Sequence, residues 1–206
     1  LRKLLALLVL SGCAVPGPSS KSVNLLRTID PALGAVEGDW EVKSGVLITP
    51  KAKFGRLQIG YEPPEEYDLR MIAERTEGAN SIVLGLVSGG RPFMVAVDAF
   101  EHDPASGIEL IDGKSFGDNE TGTPGRLLEN GKRGVVEIAV RKGSVTLVVN
   151  GKRIIDWKGQ PDQLSLHPKW KMPHRNALWI GAFACVYHVY ELTLIPVTGE
   201  GRVLGS

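Results

Sequence analysis

The stretch "SVTLVVNGKRIIDW", residues 144–157, decides the architecture. Two runs rich in β-branched residues flank Asn150-Gly151, a pair that accepts the positive φ angles of a type I′ turn, so the pattern predicts a tight antiparallel hairpin. Immediately upstream, "EIAVRKGSVTLVV" adds another antiparallel neighbour through Lys142-Gly143. Further out, "YDLRMIAERTEGANSIVLGLVSGGRPFMVAVDAF", residues 67–100, reads as three long strands joined at Gly78-Ala79-Asn80 and Gly89-Gly90.

Strands are expected at about 39–42, 45–49, 56–61, 67–76, 80–88, 92–100, 107–111, 134–141, 144–149, 152–157 and 178–196. The last is too long for one strand and should bend or divide near Cys185. Helical spacing is confined to a short turn near residue 23, stopped by Pro31. Antiparallel strands at short spacing without helical crossovers imply an all-β, two-sheet antiparallel sandwich.

The chain of 206 residues is 43% hydrophobic and 23% charged, a globular composition. That length buries a sizeable core as one domain without disulfide or metal staples. A formal net charge of +1 with scattered Lys and Arg offers no broad basic field, so nucleic acid is not an expected partner.

The first residues, "LRKLLALLVLSGC", place Arg2 and Lys3 before an apolar run, Leu4 to Leu10, that is too short to span a bilayer. Leu10-Ser11-Gly12-Cys13 follows, and the whole resembles a bacterial lipoprotein signal with its lipobox. The resemblance implies a signal peptide at 1–12, lipidation of Cys13, a flexible Pro/Gly/Ser tether over 13–22 and a sandwich domain over 23–206. It also implies export and lipid anchoring to a bacterial membrane, at the outer membrane or cell surface. The alternative is a plain secretory signal with an incidental cysteine. With Cys13 lipidated, Cys185 has no intramolecular partner and is read as a buried small apolar residue rather than a nucleophile.

Four segments carry a second resemblance: "GDWEVKSGVLITP" (38–50), "EEYDLRMIAERTEGANSIVLGLV" (65–87), "VVEIAVRKGSVTLVVNGKRIIDW" (135–157) and "ALWIGAF" (177–183). Their order, across about residues 36 to 196, resembles concanavalin A-like jelly rolls, specifically the 3-keto-disaccharide hydrolase-like group. The resemblance implies a jelly-roll sandwich whose concave face takes carbohydrate. Its matching positions are packing and turn residues, which specify the sandwich more than an activity.

Retaining glycosidases on this fold place carboxylates on alternate residues of one strand, as in Glu-x-Asp-x-x-Glu, and no such strand is present. Glu66 and Asp68 come closest and read as solvated strand-edge charges. Local signatures of serine hydrolases, zincins, paired C-x-x-C sites and P-loops are also missing. The catalytic residues are therefore left open.

Asp98, in "FMVAVDAF", is the main candidate for a sugar site. Strict alternation puts it on one face with Met94, Ala96 and Phe100, where an unpaired buried carboxylate would be costly, so it is expected to face a groove, a cation or an arginine. Arg91 and Asp112 are expected across the same surface. An edge-exposed Asp98 with a structural arginine partner is the competing reading. Trp157 and Trp170 are the stacking candidates, whereas Trp40 and Trp179 fit core positions.

His167 and His174 flank Trp170 at a spacing that argues weakly for a metal. His188 reads as a packed or solvent-facing side chain. No cofactor is expected; calcium could find oxygens in "FGDNETGTPG", residues 116–125, but a solvated turn fits that spacing better. The expected function is carbohydrate binding on the concave face. The alternatives are a glycoside hydrolase or lyase acting on 3-keto-disaccharides, and a non-catalytic envelope interaction module.

Overall fold

The computed structural model describes residues 22–204. The expected signal peptide, Cys13 and nearly all of the expected tether lie outside the described residues.

The Asn150-Gly151 hairpin forms as expected, with φ of +50° and +78° at the two turn residues and Val149 opposite Lys152. Its turn is also fastened to the next strand, because the Asn150 amide oxygen accepts from the Val135 N–H. From this hairpin an eight-stranded antiparallel sheet extends through Ser144–Val149, Arg133–Arg141, Glu66–Glu77, Val186–Thr198, Val46–Ile48 and Glu41–Lys43. Val23–Asn24 pairs with the far part of Val186–Thr198. A seven-stranded antiparallel sheet runs in the order Thr123–Pro124, Ala105–Ile108, Arg91–Ala99, Ile82–Ser88, Trp179–Ala182, Gly55–Gln58, Ala35–Glu37. The molecule is a two-sheet antiparallel jelly-roll sandwich of the concanavalin A-like type. Among the described residues no helix is long and apolar enough to cross a membrane.

The three long strands expected over residues 67–100 form, but they do not share one sheet: Glu66–Glu77 belongs to the eight-stranded sheet, while Ile82–Ser88 and Arg91–Ala99 pair in the other. Gly78 to Ser81 is thus a crossing between sheets. The long segment 178–196 crosses back at the same place, dividing into Trp179–Ala182 and Val186–Thr198 around Cys185. The two crossings pack together: a Cβ on Gly78 would lie 2.8 Å from that of Cys185. Cys185 is buried there, and burial pushes its thiol up to about 11, which removes it as a nucleophile.

The two sheets differ in how they meet water. Glu66–Glu77 alternates half-exposed and buried positions over most of its length, with Tyr67, Leu69, Met71 and Ala73 facing the interior. In contrast, Ile82–Ser88 is buried at every position. Its inward residues Ile82, Leu84 and Leu86 join the main core. The outward Val83 belongs to a second apolar cluster with Met94, Ala96, Phe116, Trp170, Met172 and Trp179. A strand buried on both faces has a cover on each. Here the outer cover consists of the segments carrying Phe116 and Trp170.

Candidate functional site

Asp98 lies inside the sandwich. Its φ is +59°, and the pairing with Ala105–Ile108 shifts register at this point. This β-bulge breaks the strict alternation that put Asp98 with Met94 and Ala96. Its carboxylate meets the Arg75 guanidinium at 3.2 Å, and both side chains are 0% exposed. Asp98 also accepts from the backbone N–H groups of Leu127 (2.7 Å) and Leu128 (3.0 Å). Arg75 spends its remaining donors on the Asn130 side chain, the Asn80 and Leu128 carbonyls and the Tyr187 hydroxyl. The cluster is therefore closed: it ties strands from both sheets to the 126–130 segment and offers nothing to a ligand. Of the three partners expected for Asp98, a groove, a cation or an arginine, it takes the arginine, and it does so inside the sandwich rather than at an exposed edge.

Trp157 and Trp170 are corrected as stacking candidates. Trp157 is 3% exposed in the main core, where its indole N–H donates to Glu120. Trp170 is 5% exposed and stacks on Trp179 at 5.6 Å between ring centroids. The rings cover the sheet rather than present a free face. Trp179 in turn lies flat on the sheet because Gly85 faces it on the next strand; a Cβ at Gly85 would overlap the indole.

Asp112 occupies an exposed turn with φ of +51° and accepts from the Gln163 amide at 2.9 Å. Arg91 opens its strand opposite Ser88, at the other end from Asp98, so the two do not share a site. Of the five expected sugar contacts, Arg91 lines the cavity described next. Glu66 and Asp68 are engaged at the strand edge, accepting from the Lys142 N–H and pairing with Arg141.

The cavity, about 470 Å³, opens on the outward face of the seven-stranded sheet. Trp179, Met172, Pro92 and Leu166 supply apolar walls, and Arg91, His167, Lys171 and Arg175 supply polar ones. Most of the lining comes from residues 164–175, which two polar side chains of the sheet hold in place. Arg56 donates to the Lys169 carbonyl at 2.6 Å, and Gln58 accepts from the His174 N–H at 2.9 Å. Within this segment His167 caps the 3₁₀ turn Pro168–Trp170, its Nδ1 accepting from the Lys169 N–H. Nε2 is then the ring nitrogen left to donate.

Behind His167 stands Glu109, which the sequence reading missed. Its carboxylate accepts from the His167 N–H at 3.3 Å. Burial pushes this carboxyl up to about 7, against the opposing effect of hydrogen bonds from the His167 backbone and the Trp170 side chain. In sequence, "SGIELI" gives no sign of this, since the burial comes from a segment more than fifty residues away. The cations were more legible: "LSLHPKWKMPHR", residues 164–175, holds Lys169, Lys171, Arg175 and two histidines without a single acid.

Metal ligation finds no support from geometry. Among the described residues no group of three or more His, Cys, Asp or Glu side chains could hold an ion. In the 116–125 segment, the Asn119 oxygen accepts from Thr121 and its amide donates to the Ile108 and Lys114 carbonyls. The residues considered for calcium thus hold their own turn together.

No protein-family model matches the chain, and no curated protein matches it in sequence. Solved structures do resemble it in fold. The VIP36 exoplasmic/lumenal domain, solved bound to calcium and Man3GlcNAc, aligns with a TM-score of 0.61 at 10% identity, covering 87% of this chain and 89% of that one. The Crh5 transglycosylase aligns with a TM-score of 0.57 at 11% identity, covering 88% and 86%. The carbohydrate-binding module CBM66 from Bacillus subtilis aligns with a TM-score of 0.54 at 8% identity, covering 78% and 93%. At these identities the likeness is one of fold alone, the two-sheet antiparallel β-sandwich.

Proposed function

We propose that this protein binds carbohydrate, taking a short saccharide or the end of a glycan chain in the cleft lined by residues 164–175. The observation that carries the reading is the cleft itself: about 470 Å³ with Trp179 and Met172 as apolar walls and Arg91, His167, Lys171 and Arg175 as donors. Sugars need this combination, apolar surface against their C–H faces and convergent polar groups for their hydroxyls. Its size matches one or two rings. Phe116, Trp170 and Met172 cover the rest of the outward face, so an open groove along the whole sheet is not available. Neighbours of the same fold include the VIP36 exoplasmic/lumenal domain, solved with Man3GlcNAc, and a carbohydrate-binding module, which favours this reading.

A glycan array probed with the full chain tests it. Binding that is lost on cleft substitution supports the proposal, and absence of any glycan signal overturns it.

Glu109 favours a second reading, hydrolysis. A carboxyl held near 7 is suited to act as a general acid. Against it, Glu109 stands behind His167 and is not among the residues that line the cleft, and no other carboxylate lines it to serve as nucleophile or base. Release of reducing sugar or of a 3-keto sugar from a 3-keto-disaccharide, abolished in Glu109→Gln, would establish the enzyme.

Lipid anchoring at the cell envelope completes the proposal and rests on residues 1–13 alone. Fatty-acid labelling of the full chain, lost in Cys13→Ala, is the expected outcome; labelling that survives the substitution would refute it.

A further inference from the structure

The cleft carries more than a general affinity for hydroxyl groups. Arg91, Lys171 and Arg175 are exposed at its walls, and no Asp or Glu is among the lining residues. Elsewhere arginines find acids: Arg70 with Glu137 and Glu191, Arg141 with Asp68, Arg202 with Glu62. Among the described residues, the three cleft cations have no ion pair and no side-chain hydrogen bond within the chain. Two acids stand near without neutralising them. Glu109 lies behind His167 and spends its carboxylate on that residue's N–H. Asp162 shares with Arg91 an adjoining depression of about 330 Å³ and forms no ion pair with it.

Three like charges around one concave, partly apolar space repel one another and raise the local potential. An anion placed between them removes that cost and gains charge-assisted hydrogen bonds, which are about twice as strong as neutral ones. We infer that the cleft selects an acidic saccharide, one whose ring bears a carboxylate or a sulfate ester, with Arg91, Lys171 and Arg175 as the groups that recognise the oxyanion. This rests on the cleft being a sugar site and names the class of sugar it takes. It also separates the binding reading from the 3-keto-disaccharide reading, because those disaccharides are neutral.

The test is an array of matched oligosaccharides presented to the full chain: uronate oligomers, their carboxyl-reduced neutral counterparts, and neutral oligomers with and without sulfate esters. Hits are then titrated calorimetrically. Acidic members are expected to bind, and their neutral counterparts to bind at least about tenfold more weakly, a loss on the scale of one charged hydrogen bond. The uronate and sulfate arms tell which oxyanion is preferred. The double variant Arg91→Gln/Arg175→Gln is expected to lose about tenfold or more toward the acidic ligand, with its melting temperature unchanged.

Equal binding of acidic and neutral partners would overturn the charge inference and leave sugar binding standing. No binding to any member would overturn both. Competition by inorganic sulfate as strong as that by the acidic saccharide would reduce the site to a bare anion site and overturn the saccharide part.

Discussion

One strand carries the molecule's two kinds of charge. At its start, Arg91 is exposed beside the cleft with no acid paired to it; near its end, Asp98 is sealed in the sandwich against Arg75 and two backbone N–H groups. The inner charge is spent on structure, because a buried ion persists only where every lone pair and donor is answered. The outer charge is held by no side-chain partner among the described residues. The difference teaches that a carboxylate in an apolar strand is weaker evidence for a site than an unpaired cation on a loop-lined wall.

The largest effect should come from the inner end. Asp98→Ala leaves Arg75 buried without its counter-ion, and a loss of about 3–5 kcal/mol is expected in urea unfolding. Replacing both residues with apolar ones should cost less than either single change, since no orphaned charge remains. A double variant that is worse than both singles would show that the pair is not a closed unit.

Next in size is the floor of the cleft. Gly85→Ala forces a methyl group into the Trp179 indole, and overpacking of this kind costs about 1–3 kcal/mol. Because Trp179 also walls the cleft, the substitution should weaken saccharide binding as well. Unchanged affinity would detach the Trp179 ring from the ligand.

Glu109, behind His167, makes stability depend on pH. Its carboxyl ordinarily titrates at 4.5 and is held up to about 7 in the folded chain, so the native state binds more protons between those values. Stability should therefore fall as pH rises from about 4.5 to about 7 and level off above, by about 1–2 kcal/mol from this group. In Glu109→Gln that part of the slope should vanish; an unaltered profile would place the titration elsewhere.

The smallest expected effect on stability is at the outer end. Arg91→Gln should change unfolding by less than about 0.5 kcal/mol, as surface substitutions do, while acidic-saccharide affinity drops about tenfold. A stability loss without an affinity loss would make Arg91 structural, like its counterpart Arg75.

These contrasts also explain what could be read from residues alone. The 144–157 hairpin was legible because Asn150-Gly151 carries its own φ requirement. The crossing at 78–81 was not, since the same glycine-rich signal serves a hairpin or a passage between sheets, and only the packing of Gly78 on Cys185 distinguishes them. Asp98 was assigned to the wrong face because a bulge at a non-glycine residue leaves no mark on the alternation. Trp157 and Trp170 were expected free because they lie outside obvious strand interiors, yet contacts distant in sequence bury both. Arg91 was picked as a neighbour of Asp98, and the structure instead sets it with Lys171 and Arg175. The acid-free run 164–175 was visible throughout; what it lined was not.

The most direct test of the cleft as a saccharide site is a titration of the isotopically labelled full chain with an oligosaccharide found on the array, followed by amide and indole N–H chemical shifts. The largest changes are expected at the Trp179 indole, at Arg91 and along Leu166 to Arg175. Changes concentrated instead around the exposed ring of Phe100, 57% accessible at the far end of the same strand, or no changes at all, would contradict it.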